Sequence, residues 1–439
     1  NNVCLYFTGT KSWAVDSLVV SNCTISFAED SFQIAVTNSV RVDTNAVLGI
    51  GAYELGSNYA FRCGGDLILT NGGCFAVNGV NTNGVTEDSG ALIGVTNNLV
   101  VCSSSWIYPI ANEARGGFGL FRAGNVLIQP NAGFNANGRG FSSHNGPGRG
   151  PDGTYVGGAG YGGRGGDGQS LAGGSIYGHT NAPVAGSGSA TYSAYDYYLR
   201  GGAGGGAVRI AATNAVSILG TITANGGNAF VTYYGAGGAG GGIYITCSTF
   251  SGGTGALMQA NGSNTYLNET AYCGGGGGGR IAVWRGVPDA TRELALAGDS
   301  GALASLVVQT TFPNYMGVIF VTNGVGRTNN AAQPGTARFI KLDPGPMYTL
   351  DIHGRPNDTY GAPQPLGYGT HEDIPMNTTI TNYAPSPADE VSGTRHACYG
   401  WDVYSDIASF VTNGASTQAV FQLSTNMTLT WYWTNQYLL

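Results

Sequence analysis

The sequence has little charge. Only 10% of its 439 residues are Asp, Glu, Lys or Arg, whereas a typical soluble domain has about 25%. Lys and Arg number 18 against 25 Asp and Glu, and the net charge at pH 7 is −7. A protein that binds nucleic acid usually carries a basic face, so this balance disfavours such a partner. We expect backbone, amide and hydroxyl groups to keep the chain soluble.

Long apolar runs are missing as well. No stretch of the sequence matches the roughly 18 apolar residues that a membrane-spanning helix requires, and we predict no membrane span. The chain begins at Asn1, with neither Met nor a signal peptide. We therefore expect a processed chain or a fragment of a longer one.

The eight cysteines contain no CxxC pair, which leaves zinc and thioredoxin chemistry with little support. Scattered cysteines in a chain this poor in charge fit an oxidising compartment, and we expect an extracellular or cell-surface location. Buried free thiols are an equally good account of several of them.

Glycine is abundant instead, with 75 residues, and it recurs in a repeat. Residues 204–210 read GGGAVRI, 240–246 read GGGIYIT and 277–283 read GGGRIAV. The last glycines of these runs are spaced by 36 and 37 residues. The triplet Ala-Asn-Gly recurs between the runs, at 136–138, 224–226 and 260–262.

Each repeat supplies a short strand with alternating apolar residues, such as Val208 and Ile210 or Ile243 and Ile245. Period-two alternation indicates one buried face. A single repeat cannot bury that face, so neighbouring repeats must stack. We predict an all-β chain in which residues 1–330 form a right-handed parallel β-solenoid. The alternative is that Asn-Gly marks hairpin turns of a β-sandwich, but the near-constant spacing favours the solenoid.

The glycine runs directly precede strands, and a glycine-rich insertion covers about residues 139–206. Without Cβ atoms, backbones can approach closely, as in polyproline-II-type packing. We predict that tracts 201–206, 235–242 and 274–279 lie side by side as ordered, extended strands in polyglycine-II-like lateral loops. A disordered loop is the alternative, but the dense tyrosines of the insertion favour order.

Composition changes near residue 345, where glycine runs stop and prolines become frequent. We predict a linker at 331–345 and a small, β-sandwich-like all-β domain at 346–439. Its predicted strands are 348–352, 377–382, 395–401, 418–423 and 427–433.

Two parts of the chain resemble large secreted surface proteins of Planctomycetes and Verrucomicrobia-type bacteria. The GGxGGG runs, the ANGG corner and GGGGGGRIAV resemble their glycine-rich β-helical repeats, over about residues 110–330. The segments YGAPQPLGYGTH, TRHACYGW and NMTLTWYWTNQYLL resemble a surface repeat domain of the same proteins, which ends in a TLTWxWxxQY strand. This second resemblance covers about residues 346–439. It implies a surface context and no enzyme activity.

Few residues suggest a chemical site. The segment GGRGGD at 162–167 fits the calcium-repeat pattern GGxGxD, which makes Asp167 a metal candidate, although calcium repeats need tandem copies and this is one copy. Acidic pairs such as Glu29–Asp30 point to opposite faces of a strand, so they cannot act together. We predict no catalytic residues and no other cofactor. Cys247 and Cys273 flank one repeat, and we predict that they form a disulfide, while Cys398 remains unpaired.

We expect an extracellular structural protein that self-associates head to tail into a filament. Strand addition at the two ends of the chain is the predicted contact. The candidate residues are Val3, Leu5 and Phe7 in the first strand and Leu429, Trp431, Trp433 and Tyr437 in the last. Alternatively, the last strand completes its own domain.

A glycan-binding adhesin is the first alternative function, and a β-helical polysaccharide lyase or glycosidase is the second. Glycans or other surface proteins would then be the partners.

Overall fold

The computed structural model describes residues 3–7, 12–27, 33–51, 59–79, 91–190, 201–229, 235–265, 272–326, 331–343, 345–406 and 409–437. The chain forms two compact units, Asn1–Leu342 and Asp343–Leu439. Strands dominate both units, which confirms the all-β prediction. Within the described residues, no helix is both long and apolar enough to span a membrane.

The first unit contains a nine-stranded sheet in which every neighbouring pair of strands is parallel. In order across the sheet, its strands are Val3–Phe7, Cys23–Phe27, Val47–Ile50, Cys74–Asn78, Trp106–Ile110, Gly133–Asn135, Thr221–Thr223, Leu257–Gln259 and Val318–Phe320.

A fifteen-stranded sheet forms the rest of the strand framework. Its main path is Ser12–Val15, Gln33–Val36, Tyr59–Cys63, Ala91–Val101, Gly119–Ile128, Ala207–Ala212, Gly242–Cys247, Arg280–Arg285, Thr336–Leu342 and Leu306–Gln309. Five more strands join it laterally: Leu18–Ser21, Val40–Asp43, Leu67–Leu69, Ala215–Ile218 and Thr249–Gly252. The last strand of the path, Leu306–Gln309, is antiparallel to its neighbour.

The chain returns to the same sheet positions once every three strands. Gln33–Val36, Val40–Asp43 and Val47–Ile50 are followed by Tyr59–Cys63, Leu67–Leu69 and Cys74–Asn78, and each strand pairs in parallel with its counterpart. Stacked repeats therefore bury one another's apolar faces.

Two facing rows of in-register apolar residues build the core. The row in the nine-stranded sheet is Ile25, Leu48, Phe75, Ile107, Phe134, Ile222 and Met258. The row in the fifteen-stranded sheet is Ile34, Phe61, Ile93, Phe121, Ile210, Ile245, Val283 and Phe339. Rings meet between the rows, with Phe121 and Phe134 centroids 5.2 Å apart. Full burial of each such side chain contributes about 1.5–3 kcal/mol.

The glycine tracts 201–206, 235–242 and 274–279 lie side by side, as predicted. The Gly205 N–H donates to the Ala239 carbonyl at 2.9 Å, and the Gly240 N–H donates to the Gly277 carbonyl at 2.9 Å. The insertion joins them, because Gly166 N–H donates to the Gly275 carbonyl at 2.9 Å. We call residues 156–166, 185–189 and the three tracts the glycine layer. The tyrosines of 191–200 lie outside the described residues.

Gly242, the last residue of its tract, begins the next β-strand. Residues 201–206, 235–241 and 274–279 do not form β-strands. The reason is that successive N–H groups turn to different neighbours. Within 235–242, Gly237 donates to Gly274 at 3.0 Å, Ala239 to Ser187 at 3.1 Å and Gly241 to Ala224 at 2.6 Å. Side chains would block this packing: a Cβ on Gly240 would lie 2.4 Å from the Ala260 carbonyl oxygen.

The helices Asp289–Leu296 and Ser300–Ala304 follow the strand Arg280–Arg285. Their apolar residues pack against the outward side of the fifteen-stranded sheet, where Tyr244, Trp284 and Ile340 are buried. The Asp299 side chain caps the second helix by accepting a hydrogen bond from the Ala302 N–H at 2.8 Å. The sequence pattern predicted no helix in the first unit.

The predicted linker at 331–345 needs correction. Thr336–Leu342 is a strand of the fifteen-stranded sheet and pairs in parallel with Arg280–Arg285. Its alternating Ala337 and Phe339 continue the core rows, so these residues belong to the first unit.

The second unit has a six-stranded and a two-stranded sheet. The six strands are Met347–Arg355, Gly369–Pro375, Ala388–Val391, Thr394–Ser405, Phe410–Gly414 and Met427–Tyr437, and the two are Thr378–Tyr383 and Gln418–Leu423. All five segments predicted as strands are strands. One apolar core contains residues of both sheets, among them Trp431, Val403 and Phe421.

Candidate functional site

A groove of about 780 Å³ lies over the outward side of the fifteen-stranded sheet. Four arginines line it: Arg62, Arg122, Arg209 and Arg292. The single acidic residue among the described lining residues is Asp289. Arginine is thus the most frequent charged residue among the described lining residues.

Strand alternation places three of these arginines. Phe61, Phe121 and Ile210 point into the core, so the neighbouring Arg62, Arg122 and Arg209 point outward. Arg62 and Arg122 occupy one row, because Gly94 pairs with both. Two strand spacings separate them, or about 9.6 Å.

Small and hydroxylated residues form the floor between the arginines. Gly94 lies between Arg62 and Arg122 in the row, and Ala211 pairs with Arg122 on the other side. The next position of the row is Thr246, paired with Ala211. Hydroxyl groups of Thr96, Thr213, Thr246 and Ser248 line the same groove.

The helix Asp289–Leu296 forms one wall. Arg292 is only 3% exposed, and its Nη1 lies 2.7 Å from Oδ1 of the exposed Asp289. On the sheet side, the Arg209 guanidinium lies 5.4 Å from the ring centroid of Tyr244, a cation–π arrangement. These contacts hold two of the four guanidinium groups in place.

The groove offers charge and hydrogen-bond donors rather than acid–base pairs. Glycoside hydrolysis commonly needs two carboxyl groups, and Asp289 is the one carboxyl group among the described lining residues. The Cys247 thiol also borders the groove, but burial raises its pKa to about 12. A thiol with that pKa stays protonated at neutral pH and is a poor nucleophile.

The groove was missed by the sequence analysis. Three of its four arginines, Arg62, Arg122 and Arg209, come from strands distant in sequence, and only the pairing register brings them together. One feature of the sequence could have predicted these arginines: Phe-Arg occurs at 61–62 and 121–122, each time with the phenylalanine in the core row. Because successive side chains of a strand point to opposite faces, an arginine that repeatedly follows a core phenylalanine indicates a row of arginines on the outer face.

Asp167 does not belong to a metal centre in the described part of the chain, where no group of three or more His, Cys, Asp and Glu side chains could hold an ion. Its Oδ1 pairs with Arg164 and accepts a hydrogen bond from the Gly173 N–H at 2.7 Å. The carboxylate thus stabilises a turn of the insertion, and the calcium prediction has no structural support.

The predicted disulfide is wrong. Cys247 and Cys273 are both free thiols. Cys247 ends a strand and packs in the main core, whereas Cys273 packs with Val156 and Ala236 in the glycine layer. Cys273 directly precedes tract 274–279, so its side chain lies with the glycine layer and not in the main core that holds Cys247. Cys398 is a free thiol too.

For the C-terminal assembly candidates, the structure agrees with the alternative prediction that the last strand completes its own domain. Met427–Tyr437 is an interior strand of its sheet, paired with Met347–Arg355 on one side and Thr394–Ser405 on the other. Leu429, Trp431 and Trp433 are buried in the core of the second unit, and only Tyr437 is exposed. This strand completes its own unit, so it cannot be donated to another molecule without unfolding.

The N-terminal candidates lie at a sheet edge. Val3–Phe7 is the first strand of the nine-stranded sheet and pairs with Cys23–Phe27. Leu5 stacks on Ile25 in the core row, yet it is 45% exposed. The side chains of Val3 and Phe7 lie outside the described part of the structure. At the opposite edge, Val318 and Phe320 are 47% and 42% exposed.

Comparison with known proteins identifies no relative. No protein-family model, curated protein or solved structure matches the chain. Its function must therefore be inferred from the groove and the sheet edges.

Proposed function

We propose that the chain is an extracellular structural protein that polymerises head to tail, and that its first unit is a right-handed parallel β-solenoid with polyglycine-II-like lateral loops. The three-strand recurrence and the parallel pairing support the solenoid. A right-handed path is the usual one between parallel strands of one sheet.

The observation that carries the assembly proposal is the pair of edges of the nine-stranded sheet. Both edge strands, Val3–Phe7 and Val318–Phe320, run parallel to all the others. The backbone groups of Val318–Phe320 that face away from its sheet can therefore pair with those of Val3–Phe7 from a second copy. The new pair would be parallel, like the pairs within the sheet. Added strands gain main-chain hydrogen bonds along their length.

Side chains favour the same contact. Leu5 lies at one end of the core row, so a strand from a second copy would cover it as Ile25 is covered within the chain. A head-to-tail contact between two different edges extends into a filament when the rotation between successive copies does not close a ring. In the resemblance to bacterial surface proteins, the second unit would be a surface repeat domain carried along that filament.

A binding or structural role agrees better with the groove than catalysis does. The described lining residues include four arginines and one carboxyl group, and they do not contain the paired acids of a glycosidase. The location outside the cell is supported by the low charge and by the resemblance.

Electron microscopy and sedimentation of the full chain test the assembly. Leu5→Lys places a charge in the uncovered core row, and Phe320→Lys places one on the opposite edge. Each variant should remain monomeric while its thermal unfolding midpoint stays near that of the parent. Ile176→Lys is the matched control, because Ile176 is exposed and lies in the insertion away from both edges.

Mixing the two variants sharpens the test. Each keeps one intact edge, so an equimolar mixture should give heterodimers that cannot extend. A parent chain that stays monomeric at high concentration would overturn the proposal, as would filaments that persist in both variants.

A further inference from the structure

We propose that the outward face of the six-stranded sheet in the second unit binds a neutral, β-linked polysaccharide. Exposed aromatic rings and a row of polar side chains on this face carry the proposal. All of these residues belong to the second unit, so the site is independent of the assembly that is proposed for the first unit.

Strand alternation places aromatic side chains on this face. Val403 is buried in the core of the second unit, so its neighbours Asp402 and Tyr404 point outward. On the adjacent strand Trp431 is buried, and Tyr432 therefore points outward as well. The pattern leaves rings on a surface whose opposite side is already filled by the core.

The outward rings form two pairs. The ring centroids of Tyr404 and Phe410 are 5.8 Å apart, and those of Tyr399 and Tyr432 are 5.9 Å apart. Tyr399 is 58% exposed, Tyr404 41% and Phe410 57%. Grouped aromatic surface that remains in water marks an interaction site. We call these four residues the tyrosine face.

The spacing of the two pairs suits a sugar chain. Tyr404 pairs with Thr428, and Tyr432 lies four residues farther along that strand. At about 3.4 Å per residue, about 14 Å separates the two pairs along the strands. A β-linked chain of a few pyranose rings covers this length, and its flat C–H faces can stack on both pairs. Tyrosine makes such contacts at a low entropic cost, because its side chain has few rotatable bonds.

A row of polar side chains crosses the sheet between the pairs. It contains His353, Thr430, Asp402 and Asn413, which pair in that order across neighbouring strands. Oδ2 of Asp402 accepts a hydrogen bond from the Tyr432 hydroxyl at 2.5 Å, but Oδ1 is covered and has no hydrogen-bond partner. An acceptor in this state is costly, and a sugar hydroxyl that displaces the covering side chains can donate to it. The row therefore offers hydrogen bonds to hydroxyl groups between two stacked sugar rings.

An acidic polysaccharide, a peptide and a membrane fit the tyrosine face less well. An acidic polymer brings like charge to Asp402. An extended peptide binds by adding to a sheet edge, whereas strands Thr394–Ser405 and Met427–Tyr437 already have neighbours on both sides. A membrane surface would take Asp402 and Asn413 out of water without new hydrogen bonds, which is unfavourable.

Isothermal titration calorimetry with the full chain tests the site. The neutral probes are β-linked oligosaccharides of glucose, xylose and mannose, and the acidic probe is polygalacturonate. We expect at least one neutral probe to bind, with an affinity at least about tenfold higher than that of polygalacturonate.

Tyr399→Ala and Tyr404→Ala each remove one ring from a pair. Each should weaken binding about tenfold, and the double variant about a hundredfold. Both tyrosines are exposed, so the thermal unfolding midpoints should equal that of the parent. Tyr437→Ala is the matched control. Tyr437 is 73% exposed on the strand of Tyr432, but its position belongs to the opposite face of the sheet, so the affinity should not change.

Three binding results would overturn the proposal: none of the neutral probes binds, polygalacturonate binds as tightly as they do, or Tyr437→Ala loses as much affinity as Tyr404→Ala. Sedimentation of the Leu5→Lys chain adds a fourth. A dimer of that chain that Tyr404→Ala dissociates would also overturn the proposal, because the tyrosine face would then bind a second copy.

Discussion

The strand rows and the glycine layer are stacked in the same repeats, yet they exclude water by opposite means. In the strand rows, large side chains such as Phe75 and Phe121 fill the space between sheets. In the glycine layer, the backbones themselves fill it, and each tract bonds to several neighbours. The change from one to the other occurs within one segment, since Gly242 ends a tract and begins a strand.

This difference predicts opposite responses to substitution. A strand row loses stability when atoms are removed, because a cavity remains. The glycine layer loses stability when atoms are added, because carbonyl groups already occupy the space of a Cβ. Its gain from apolar burial is small, so paired N–H and C=O groups must keep it ordered.

The largest effect is expected for Gly240→Val. Its new Cβ would lie 2.4 Å from the Ala260 carbonyl oxygen and 2.5 Å from the Gly279 nitrogen, both of them backbone atoms that cannot rotate away. We expect a loss of at least about 4 kcal/mol in the free energy of unfolding, at the extreme of single substitutions. Urea unfolding followed by circular dichroism measures it.

Gly255→Val is the matched control. This glycine is exposed, and the nearest atom to an added Cβ is 3.9 Å away. The change should cost less than about 1 kcal/mol. Equal losses in the two variants would contradict the close-packed glycine layer.

Phe121→Ala tests the strand rows. Phe121 is fully buried and its ring lies against Phe134 at 5.2 Å and Phe75 at 6.4 Å. Truncation should lower the free energy of unfolding by about 3–5 kcal/mol, because the rows cannot collapse into the cavity. Phe320→Ala, at an exposed edge position, should cost far less, and a similar cost would mean that the row is not close-packed.

How far the sequence predicts the fold depends on where side chains alternate. GGGAVRI, GGGIYIT and GGGRIAV predicted three strands, and Ala207–Ala212, Gly242–Cys247 and Arg280–Arg285 pair in register. Alternation is a local property, so a single sequence displays it. The strand Thr336–Leu342 was missed because no glycine run of the same kind precedes it.

The candidate site was less predictable for the same reason. Arg62, Arg122 and Arg209 meet only through the register of distant strands. The glycine-rich insertion at about residues 139–206 separates Arg122 from Arg209, so their spacing differs from that of the regular repeat. The strand-forming pattern of residues 427–437 was visible, but an interior strand and an edge strand have similar patterns. The sequence therefore left two roles open, assembly and completion of its own domain, and the pairing on both sides agrees with the second.

Two of the three buried thiols in the described residues extend the comparison to alkaline pH. Cys247 is in the strand core and Cys273 is in the glycine layer, and burial raises the pKa of each to about 12. In the unfolded chain a thiol has a pKa of about 8.5. The unfolded state therefore loses its proton first, and the stability is complete below about pH 8.5 and declines as the pH rises toward 12.

Each thiol should contribute a decline of up to about 1.4 kcal/mol per pH unit within that window. Urea unfolding at pH 7.5 and pH 9.0 measures it, because tyrosines of the unfolded chain, with a pKa of about 10, are still mostly protonated at pH 9.0. Cys247→Ala and Cys273→Ala should each reduce the difference between the two pH values. An unchanged difference in the Cys273 variant alone would show that the glycine layer admits water where the strand core does not.

The smallest loss of stability is expected where a side chain of the glycine layer accepts a hydrogen bond from a backbone N–H. The Tyr161 hydroxyl accepts a hydrogen bond from the Val184 N–H at 2.6 Å, and its ring is fully buried. Tyr161→Phe keeps the ring but removes the acceptor, so the N–H loses its partner at a cost of about 1–2 kcal/mol. Tyr272→Phe is the control, since Tyr272 is 40% exposed and water can replace its contacts. A loss confined to Tyr161→Phe would show that backbone pairing limits the stability of the glycine layer. No loss would mean that the layer can rearrange to pair the freed N–H, which the close approach of its backbones argues against.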